Sequence, residues 1–276
     1  MIQLFDTHCH LQDEAFDGEA LVAVERARAA GVVGMTLCGY DVPANLAALK
    51  LAAQAGSGVY PTVGFHPHEA ATVTQAMLDE LESQARLPQV VAVGEIGLDF
   101  YRDLSPHPVQ RTILDAQLAI ALRVGKPVSI HTRAAEDAIA PQLAAYAVEQ
   151  RKAFGERPVG VMHCFGGTVE QALYYAELGF LISIPCTITY PSNAMGRRIA
   201  AELRIESLVI ETDSPYLPPQ TRRGKRNEPA FVGAAAEAIG ASRGITIAEV
   251  AAATTANAAR LFAVVVALER ELAGAR

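Results

Sequence analysis

Residues 90–99, VVAVGEIGLD, are the stretch that decides the fold. The apolar run that leads into Glu95 has no polar alternation, which is typical of a strand buried on both faces of a parallel sheet. Four other apolar runs reach an imidazole or a carboxylate in the same way: LFDTHCHL (4–11), PVSIHT (127–132), GVMHCF (160–165) and LVIETDSP (208–215). The six side chains at these predicted strand ends are His8, His10, Glu95, His131, His163 and Asp213.

Further apolar runs, separated by helical segments, extend this pattern over the chain. The eight predicted strands are Gln3–His8, Val32–Cys38, Val59–Phe65, Val90–Ile96, Pro127–His131, Gly160–His163, Gly179–Ile184 and Leu208–Glu211. Regular alternation of strands and helices predicts an α/β fold with a parallel sheet. Eight units favour a closed TIM-type (β/α)₈ barrel, which takes about 250 residues, over an open doubly wound sheet. The 276 residues contain no visible linker, so we predict a single domain, residues 1–276.

Helix boundaries are marked by polar motifs and by glycine. Ser105-Pro106 predicts a helix that starts with serine as its N-cap, and Thr168-x-x-Gln171 is a capping box. Gly125 in RVGKP is predicted to end a helix in the left-handed conformation. After the last strand, three Ala-rich segments predict extra C-terminal helices packed on the barrel: FVGAAAEAIG (231–240), ITIAEVAAATT (245–255) and NAARLFAVVVALERE (257–271).

Composition limits the classes of function. The net charge of −7, from 23 basic and 30 acidic side chains, argues against a protein that coats nucleic acid along its length, although a local basic patch remains compatible with it. Four widely spaced cysteines without a C-x-x-C pair argue against a disulfide framework and favour a reducing compartment. No signal-peptide pattern and no apolar run of about 18 residues is visible. We therefore expect a cytoplasmic protein that is not embedded in a membrane.

A barrel brings the six strand-end side chains together. In a closed parallel barrel the C-terminal strand ends converge on one pit, so residues distant in sequence become neighbours. His8 and His10 point the same way because strand side chains alternate, and two imidazoles at this spacing grasp one ion. Glu95 has two oxygens and can bridge two ions, and Asp213 follows the last strand, which lies beside the first. The sequence therefore predicts a metal site.

Each of these residues also has a simpler interpretation. His131 or His163 alone is more often a hydrogen-bonded core histidine, and a buried glutamate such as Glu95 can pair with an arginine. Asp213, followed by Ser214-Pro215, can cap a turn, or it can accept a proton from the attacking water. The combination of all six at strand ends favours metal binding.

Residues around the predicted pit suggest further roles. His66 in VGFHPH is a ligand or a hydrogen-bond donor to the leaving oxygen, and we favour the donor because six ligands suffice for two ions. Four arginines are placed to bind phosphate oxygens: Arg102, Arg133, Arg222 and Arg223. Lys225 and Arg226 extend this set into a predicted basic rim. Four aromatic residues also follow predicted strand ends and can stack on bases or pack against the protein: Tyr101, Phe165, Tyr190 and Tyr216.

With these residues assembled, the chain resembles the TatD family of metal-dependent deoxyribonucleases, which belongs to the amidohydrolase-like barrels. The matching stretches run in order from residue 5 to residue 262: FDTHCHL, VGFHPH, VGEIGLDFYRD, KPVSIHTR, MHCFGGT, ETDSPYLPP with RGKRNEPAFV, and TANAARLF. The stretch SIPCTITYPSN (183–193) is less similar to the family. The resemblance implies a TIM-type barrel that holds up to two divalent ions and hydrolyses DNA from a 3′ end.

The resemblance also implies a division of the ligands. His8, His10, Glu95 and Asp213 would hold the first ion, and Glu95, His131 and His163 the second. We expect zinc, manganese or magnesium, DNA strand ends or single strands as substrate, and no obligate protein partner.

Two alternatives remain open at this point. One is a hydrolase of the same fold that acts on amides, lactones or D-aminoacyl-tRNA. Many such barrels use a carboxylated lysine as the bridge, whereas here Lys126 precedes its strand and points away from the ligand end. The other is a purely structural metal site, although such sites are usually closed and rich in thiolates.

Overall fold

The computed structural model describes residues 2–266. Within that range, eight parallel strands form one sheet in the order in which they occur along the chain. The strands are β1 (Leu4–Cys9), β2 (Val32–Cys38), β3 (Val59–Val63), β4 (Ala92–Asp99), β5 (Val128–Arg133), β6 (Gly160–Met162), β7 (Phe180–Pro185) and β8 (Leu208–Glu211). All eight predicted strands are present, and the TIM-type (β/α)₈ barrel is confirmed.

Helices connect each strand to the next, and two follow β8. In the described part of the chain they are α1 (Ala20–Ala29), α2 (Val42–Ala55), α3 (Gln75–Ala85), α4 (His107–Val124), α5 (Glu136–Phe154), α6 (Val169–Glu177), α7 (Ala194–Glu202), α8 (Gly233–Arg243) and α9 (Ile247–Phe262). The predicted C-terminal helix is too long: α9 ends at Phe262, where Ala263 takes a left-handed conformation with φ of 52°. Residues 267–271 of that prediction lie outside the described residues.

Local motifs explain most of the helix boundaries. The capping box of Thr168 and Gln171 is present at the start of α6, and Gly125 is left-handed at the end of α4. The predicted N-cap at Ser105 is wrong, because α4 starts two residues later, at His107, with Pro106 in the N-cap position. The Ser105 hydroxyl instead donates to the His68 carbonyl and accepts from the Ala71 amide, so it holds the loop after β3.

Strand β4 is longer than predicted, and this changes the position of Glu95. The predicted strand ended just after Glu95, whereas β4 continues to Asp99 and keeps Glu95 in its interior. The pairing of β4 with β5 shifts register between Val93 and Ile96, and the Gly94–Glu95 peptide is cis. Beyond the shift, Gly97 pairs with His131 so closely that a Cβ on Gly97 would lie 1.8 Å from the His131 carbonyl oxygen. The strand therefore continues where a glycine allows it to approach β5.

The barrel closes at a seam between β1 and the segment that follows β8. The Asp213 amide donates to the His8 carbonyl at 2.9 Å, and the His10 amide donates to the Ser214 carbonyl at 2.7 Å. Below them, the buried Asp6 carboxylate accepts from the Thr212 amide at 2.9 Å and from the Thr212 hydroxyl at 2.6 Å. The seam thus places Asp213 directly beside His8 and His10.

The two ends of the barrel differ in chemistry. At the N-terminal end, Phe5 stacks on Tyr60 and Phe262, so that α9 covers this end with apolar side chains. At the C-terminal end lie the imidazoles and carboxylates predicted from the sequence. None of the helices in residues 2–266 combines the length and the apolar character that a bilayer crossing requires.

Candidate metal centre

The Glu95 carboxylate lies at the centre of the pit. Its two oxygens approach five imidazoles, which come from β1 and the residue after it, from the loop after β3, from β5 and from the residue after β6. Oε1 lies 2.9 Å from His131 Nδ1, 3.6 Å from His66 Nε2 and 3.6 Å from His163 Nε2, and Oε2 lies 3.4 Å from His8 Nε2 and 3.8 Å from His10 Nε2. Side chains that are far apart in the sequence therefore meet around one carboxylate.

Asp213 joins this group from the seam. Its Oδ1 lies 3.6 Å from His10 Nε2 and 3.9 Å from His163 Nε2. The His8 and His10 Nε2 atoms are 3.1 Å apart, and the rings of His8 and His163 stack at 3.4 Å between centroids. All six predicted ligands thus lie in one cluster, five of them at or just after the C-terminal ends of the strands and Glu95 in the interior of β4.

The ligand atoms form overlapping groups that partly match the two predicted sets. In each group the atoms lie within 4.8 Å of one another: His8, His10 and Asp213; His8, Glu95 and His163; His66, Glu95 and His131; and His163, Cys164 and Asp213. The first group, together with Glu95 Oε2, brings together the set predicted for the first ion. In the predicted second set, His131 and His163 both approach Glu95 Oε1, but the compact groups pair His131 with His66, and His163 with His8.

The distances and the donor set fit a divalent cation. A tetrahedral ion with bonds of about 2.0–2.2 Å holds neighbouring ligand atoms about 3.3–3.6 Å apart, close to the separations around Glu95 and Asp213. Imidazole nitrogen and carboxylate oxygen are ligands for zinc and manganese, and magnesium takes carboxylates with retained waters. The residues present could therefore hold such an ion.

The outer ring nitrogens of the imidazoles carry oxygen partners. His10 Nδ1 is 2.8 Å from the Cys38 carbonyl, and His163 Nδ1 is 3.0 Å from Glu211 Oε1. His8 Nδ1 is 3.5 Å from the Ser129 hydroxyl, and His131 Nε2 is 3.2 Å from Asp99 Oδ2. A hydrogen on the outer nitrogen leaves a lone pair on the inner one, which is the form that binds a metal.

His66 differs from these four imidazoles. Its Nδ1 accepts a hydrogen bond from the His68 amide at 3.2 Å, so this nitrogen carries the lone pair. The neutral ring then has its hydrogen on Nε2, which points into the pit toward Glu95 Oε1. His66 is therefore arranged as a hydrogen-bond donor.

Burial and neighbouring charges set the protonation states. Burial alone would raise the pKa of Glu95, but the surrounding imidazoles, among them those of His8 and His163, outweigh it and lower this pKa well below its usual value. Burial would also raise the pKa of Asp213, which the hydrogen bond to His10 and the charges of His163 and His8 lower instead. Burial lowers the pKa of His66 well below its usual value. The two carboxylates are thus ionised while His66 is neutral.

The arginines predicted to form a basic rim have the following contacts. The Arg133 guanidinium lies 4.0 Å from the centre of the exposed Tyr101 ring, and Arg223 lies 4.7 Å from the Tyr190 ring. Arg222 stacks 4.5 Å from Phe231, and Arg102 is exposed in the loop after β4. Arg226 does not belong to the rim, because it binds the Glu19 and Glu228 carboxylates and the Ala15 carbonyl. Of the aromatic residues, Phe165 is buried against Tyr175.

Two carboxylates near the site were missed in the sequence. Asp99 contacts His131 and also His68, the second histidine of VGFHPH. Glu211 contacts His163 and accepts from the Cys164 amide at 2.7 Å. A signal existed for both carboxylates, since Asp99 lies four residues after Glu95 and Glu211 lies two before Asp213, spacings that place strand side chains on one face.

Addition of Mn²⁺ or Zn²⁺ is expected to stabilise the chelator-treated protein. An ion that binds only the folded chain at about 100 times its Kd raises the free energy of unfolding by about 2.7 kcal/mol, or Tm by about 5–10 °C. Differential scanning calorimetry measures the shift. His107→Ala, which changes a half-buried imidazole outside the pit, serves as control and should show the wild-type shift. A full shift in a His8→Ala/His10→Ala variant would mean that the ion binds elsewhere.

Comparison with known proteins agrees with this geometry. The family model described as TatD related DNase matches residues 5–263. The chain is 35% identical over 259 residues to the Bacillus subtilis protein named uncharacterized metal-dependent hydrolase YabD, covering 94% of this chain and 98% of that one. It is 34% identical to the Klebsiella pneumoniae 3′-5′ ssDNA/RNA exonuclease TatD, covering 95% of this chain and 98% of that protein.

A solved structure shows the same architecture. The crystal structure of YJJV, a TatD homologue from Escherichia coli, superposes with a TM-score of 0.87 at 31% identity, covering 96% of this chain and 99% of that one. The match of the family model to nearly the whole sequence, the similarity of fold and the clustered imidazoles and carboxylates lead to one conclusion: the chain belongs to the TatD related DNase family of metal-dependent hydrolases.

Proposed function

We propose that the protein is a divalent-metal-dependent exonuclease that removes nucleotides from the 3′ end of DNA. The observation that carries this proposal is the Glu95 carboxylate in contact with imidazoles from four parts of the barrel. The Klebsiella relative is named a 3′-5′ ssDNA/RNA exonuclease, which supports the 3′ to 5′ direction and a single-stranded substrate.

Two ions are proposed, with Glu95 as the shared ligand. The first would be held by His8, His10, Glu95 and Asp213. The Nε2 atoms of the two imidazoles lie 3.1 Å from each other and 3.4–3.8 Å from the nearest carboxylate oxygens of Glu95 and Asp213. The second would be held by Glu95, His131 and His163. When bound, such ions lower the pKa of a water and neutralise phosphate oxygens.

The protein's own groups would then complete the reaction. Asp213, ionised and at the edge of the cluster, accepts the proton of the attacking water. His66 donates a hydrogen bond from its Nε2–H to the departing 3′ oxygen and so stabilises the developing charge, a role that suits a neutral imidazole with its Nδ1 occupied. Arg133 and Arg102 on one side of the mouth, and Arg222 and Arg223 on another, bind the non-bridging phosphate oxygens.

The charge distribution suits a strand end better than a long duplex. The chain is acidic overall, with a net charge of −7, so only a few phosphates can be held by the basic rim. Tyr101 is 65% exposed and Tyr216 is 54% exposed, and both lie in loops that follow ligand-bearing strands. Each offers a ring on which an unpaired base can stack.

Lys126 distinguishes this site from barrels that use a carboxylated lysine. Its ammonium group donates to the Leu87 carbonyl at 2.7 Å, in the loop that enters β4, and so lies toward the other end of the barrel. The bridging position is occupied by Glu95 instead. This arrangement supports a nuclease over the amide and lactone hydrolases, and it leaves the ester of D-aminoacyl-tRNA as the alternative to be tested.

The decisive experiment offers three substrates to the metal-loaded protein: 3′-labelled single-stranded DNA, the matching RNA and a D-aminoacyl-tRNA. Release of labelled mononucleotides from DNA is the expected result. Exclusive deacylation of the tRNA would replace the proposal with the alternative. A reaction that is unchanged in Glu95→Ala would show that a contaminating nuclease was measured.

The location in the cell is part of the same proposal. All four cysteines are free, and three of them are buried. Free thiols are typical of a reducing compartment, which supports the cytoplasm.

His66→Ala is expected to lower kcat by about 10²-fold without changing the amount of metal bound, because loss of one donor to a developing charge costs about this factor. His66→Gln, which keeps an N–H donor, should recover part of the rate. Metal content by plasma mass spectrometry and single-turnover cleavage measure the two effects. A loss of one ion in His66→Ala would instead make His66 a ligand.

A further inference from the structure

Asp99 occupies an unusual position at the end of β4. Its carboxylate is only 1% exposed, yet it touches the metal-site imidazole of His131 and the loop imidazole of His68. Oδ2 lies 3.2 Å from His131 Nε2 and 3.0 Å from His68 Nε2. None of the roles assigned above to the site uses this carboxylate.

The other oxygen of Asp99 holds a different part of the mouth. Oδ1 accepts hydrogen bonds from the Tyr101 amide at 2.9 Å and from the Arg102 amide at 2.8 Å. These two residues carry the exposed ring and one of the guanidinium groups of the rim. Asp99 therefore connects a ligand imidazole to the loop that faces the substrate.

The backbone of Asp99 is fixed as firmly as its side chain. Its amide donates to Gln110 Oε1 at 2.8 Å, and the Gln110 amide group donates to the Asp99 carbonyl at 3.0 Å and to the Ser105 carbonyl at 2.7 Å. Gln110 is itself buried in α4. A carboxylate held in this way has a defined direction, which is the requirement for orienting another side chain.

We infer that Asp99 is a positioning residue that fixes the tautomer of His131 and anchors the substrate-facing loop. By accepting a hydrogen bond from His131 Nε2, Asp99 would leave the lone pair of this ring on Nδ1, the nitrogen that faces Glu95, once an ion replaces the hydrogen between Nδ1 and Glu95 Oε1. A carboxylate behind a metal-binding imidazole orients the ring and increases its basicity. The inference rests on the proposed function in taking His131 as a metal ligand.

Asp99→Asn separates the two roles of this residue. The amide oxygen of asparagine can keep the position of Oδ1 and accept from Tyr101 and Arg102. Its NH₂ group then faces His131 Nε2, which must become an acceptor and move its hydrogen to Nδ1. The loop is thus retained while the inner nitrogen of His131 loses its lone pair.

Metal titration of the full-length protein tests the inference. We expect Asp99→Asn to weaken the binding of one Mn²⁺ by about 10–100-fold in calorimetry, and to leave the other ion unchanged. Asp103→Asn is the matched control, since it removes an exposed carboxylate of the same loop whose partner, His107, lies 2.9 Å away outside the pit. Wild-type affinity for both ions in Asp99→Asn would overturn the inference.

A second measurement needs no variant. Long-range ¹H–¹⁵N correlation spectra of the Zn²⁺-loaded wild-type protein distinguish the two imidazole nitrogens, and we expect the His131 hydrogen on Nε2. A hydrogen on Nδ1 would overturn the inference, even if Asp99→Asn failed to fold. If the protein cleaves no nucleic acid but Asp99→Asn still weakens one ion, the assignment of Asp99 is supported while the proposed function fails.

Discussion

Glu95→Ala is expected to abolish metal-dependent cleavage, with a fall in kcat/KM of at least about 10³-fold. A bound ion contributes several kcal/mol of transition-state stabilisation, and about 4 kcal/mol corresponds to this factor. Glu95 is the carboxylate that both proposed ions share, so alanine removes a ligand from each. No other single ligand contacts as many of the imidazoles described above.

Metal content should fall together with activity in this variant. Dialysis against a defined Mn²⁺ concentration, followed by plasma mass spectrometry, gives the number of ions retained per chain. Glu69→Ala provides the control, because Glu69 lies in the half-buried loop just after His66 and its side chain has no assigned role in the site. If Glu95→Ala kept both ions and the wild-type rate, the proposed centre would be refuted.

Asp213→Asn is expected to lower kcat by about 10³-fold, within the range of about 10²–10⁴-fold found when a proton acceptor is lost. The amide keeps the shape of the side chain but cannot accept the proton of the attacking water. Asparagine is the appropriate substitution because Asp213 has a φ of +56°, and asparagine adopts this left-handed conformation more readily than most residues. Single-turnover cleavage of a labelled oligonucleotide measures the change.

The control for this variant lies in the loop after β2. Asp41 caps α2 by accepting from the Ala44 amide, and asparagine is as good an N-cap as aspartate, so Asp41→Asn should retain the wild-type rate. Because Asp213 is also a proposed ligand, the cleavage rate of Asp213→Asn must be measured as a function of metal concentration. A wild-type kcat at saturating metal would remove Asp213 from the proton-transfer step.

The sequence was most informative where a single repeating pattern decides the outcome. Apolar runs alternating with capped helices were enough to predict eight strands and a barrel, and the barrel then explains why His8, Glu95 and Asp213 meet. The end of β4 could not be predicted, because its extension depends on how closely Gly97 approaches His131 in the neighbouring strand. That approach is a property of the assembled sheet, which local propensities do not contain.

The hydrogen-bond partners of the imidazoles are a second feature that could not be predicted from the sequence. Whether His66 donates or binds a metal depends on the His68 amide, which the motif VGFHPH does not show to be directed at the ring. Asp99 and Glu211 have the right spacing to face the site, but many carboxylates near strand ends only cap turns. The sequence therefore predicted which imidazoles lie at the site, whereas the orientation of their rings could be determined only from the structure.

The seam of the barrel gives the proposed first ion a mechanical consequence. Asp6 and Thr212, which fasten this seam, are 206 positions apart in the chain. An ion held by His8, His10 and Asp213 would cross-link the first strand of the barrel to the segment that follows the last. Withdrawal of that ion would leave the junction to a few hydrogen bonds, so the barrel should first come apart between its beginning and its end.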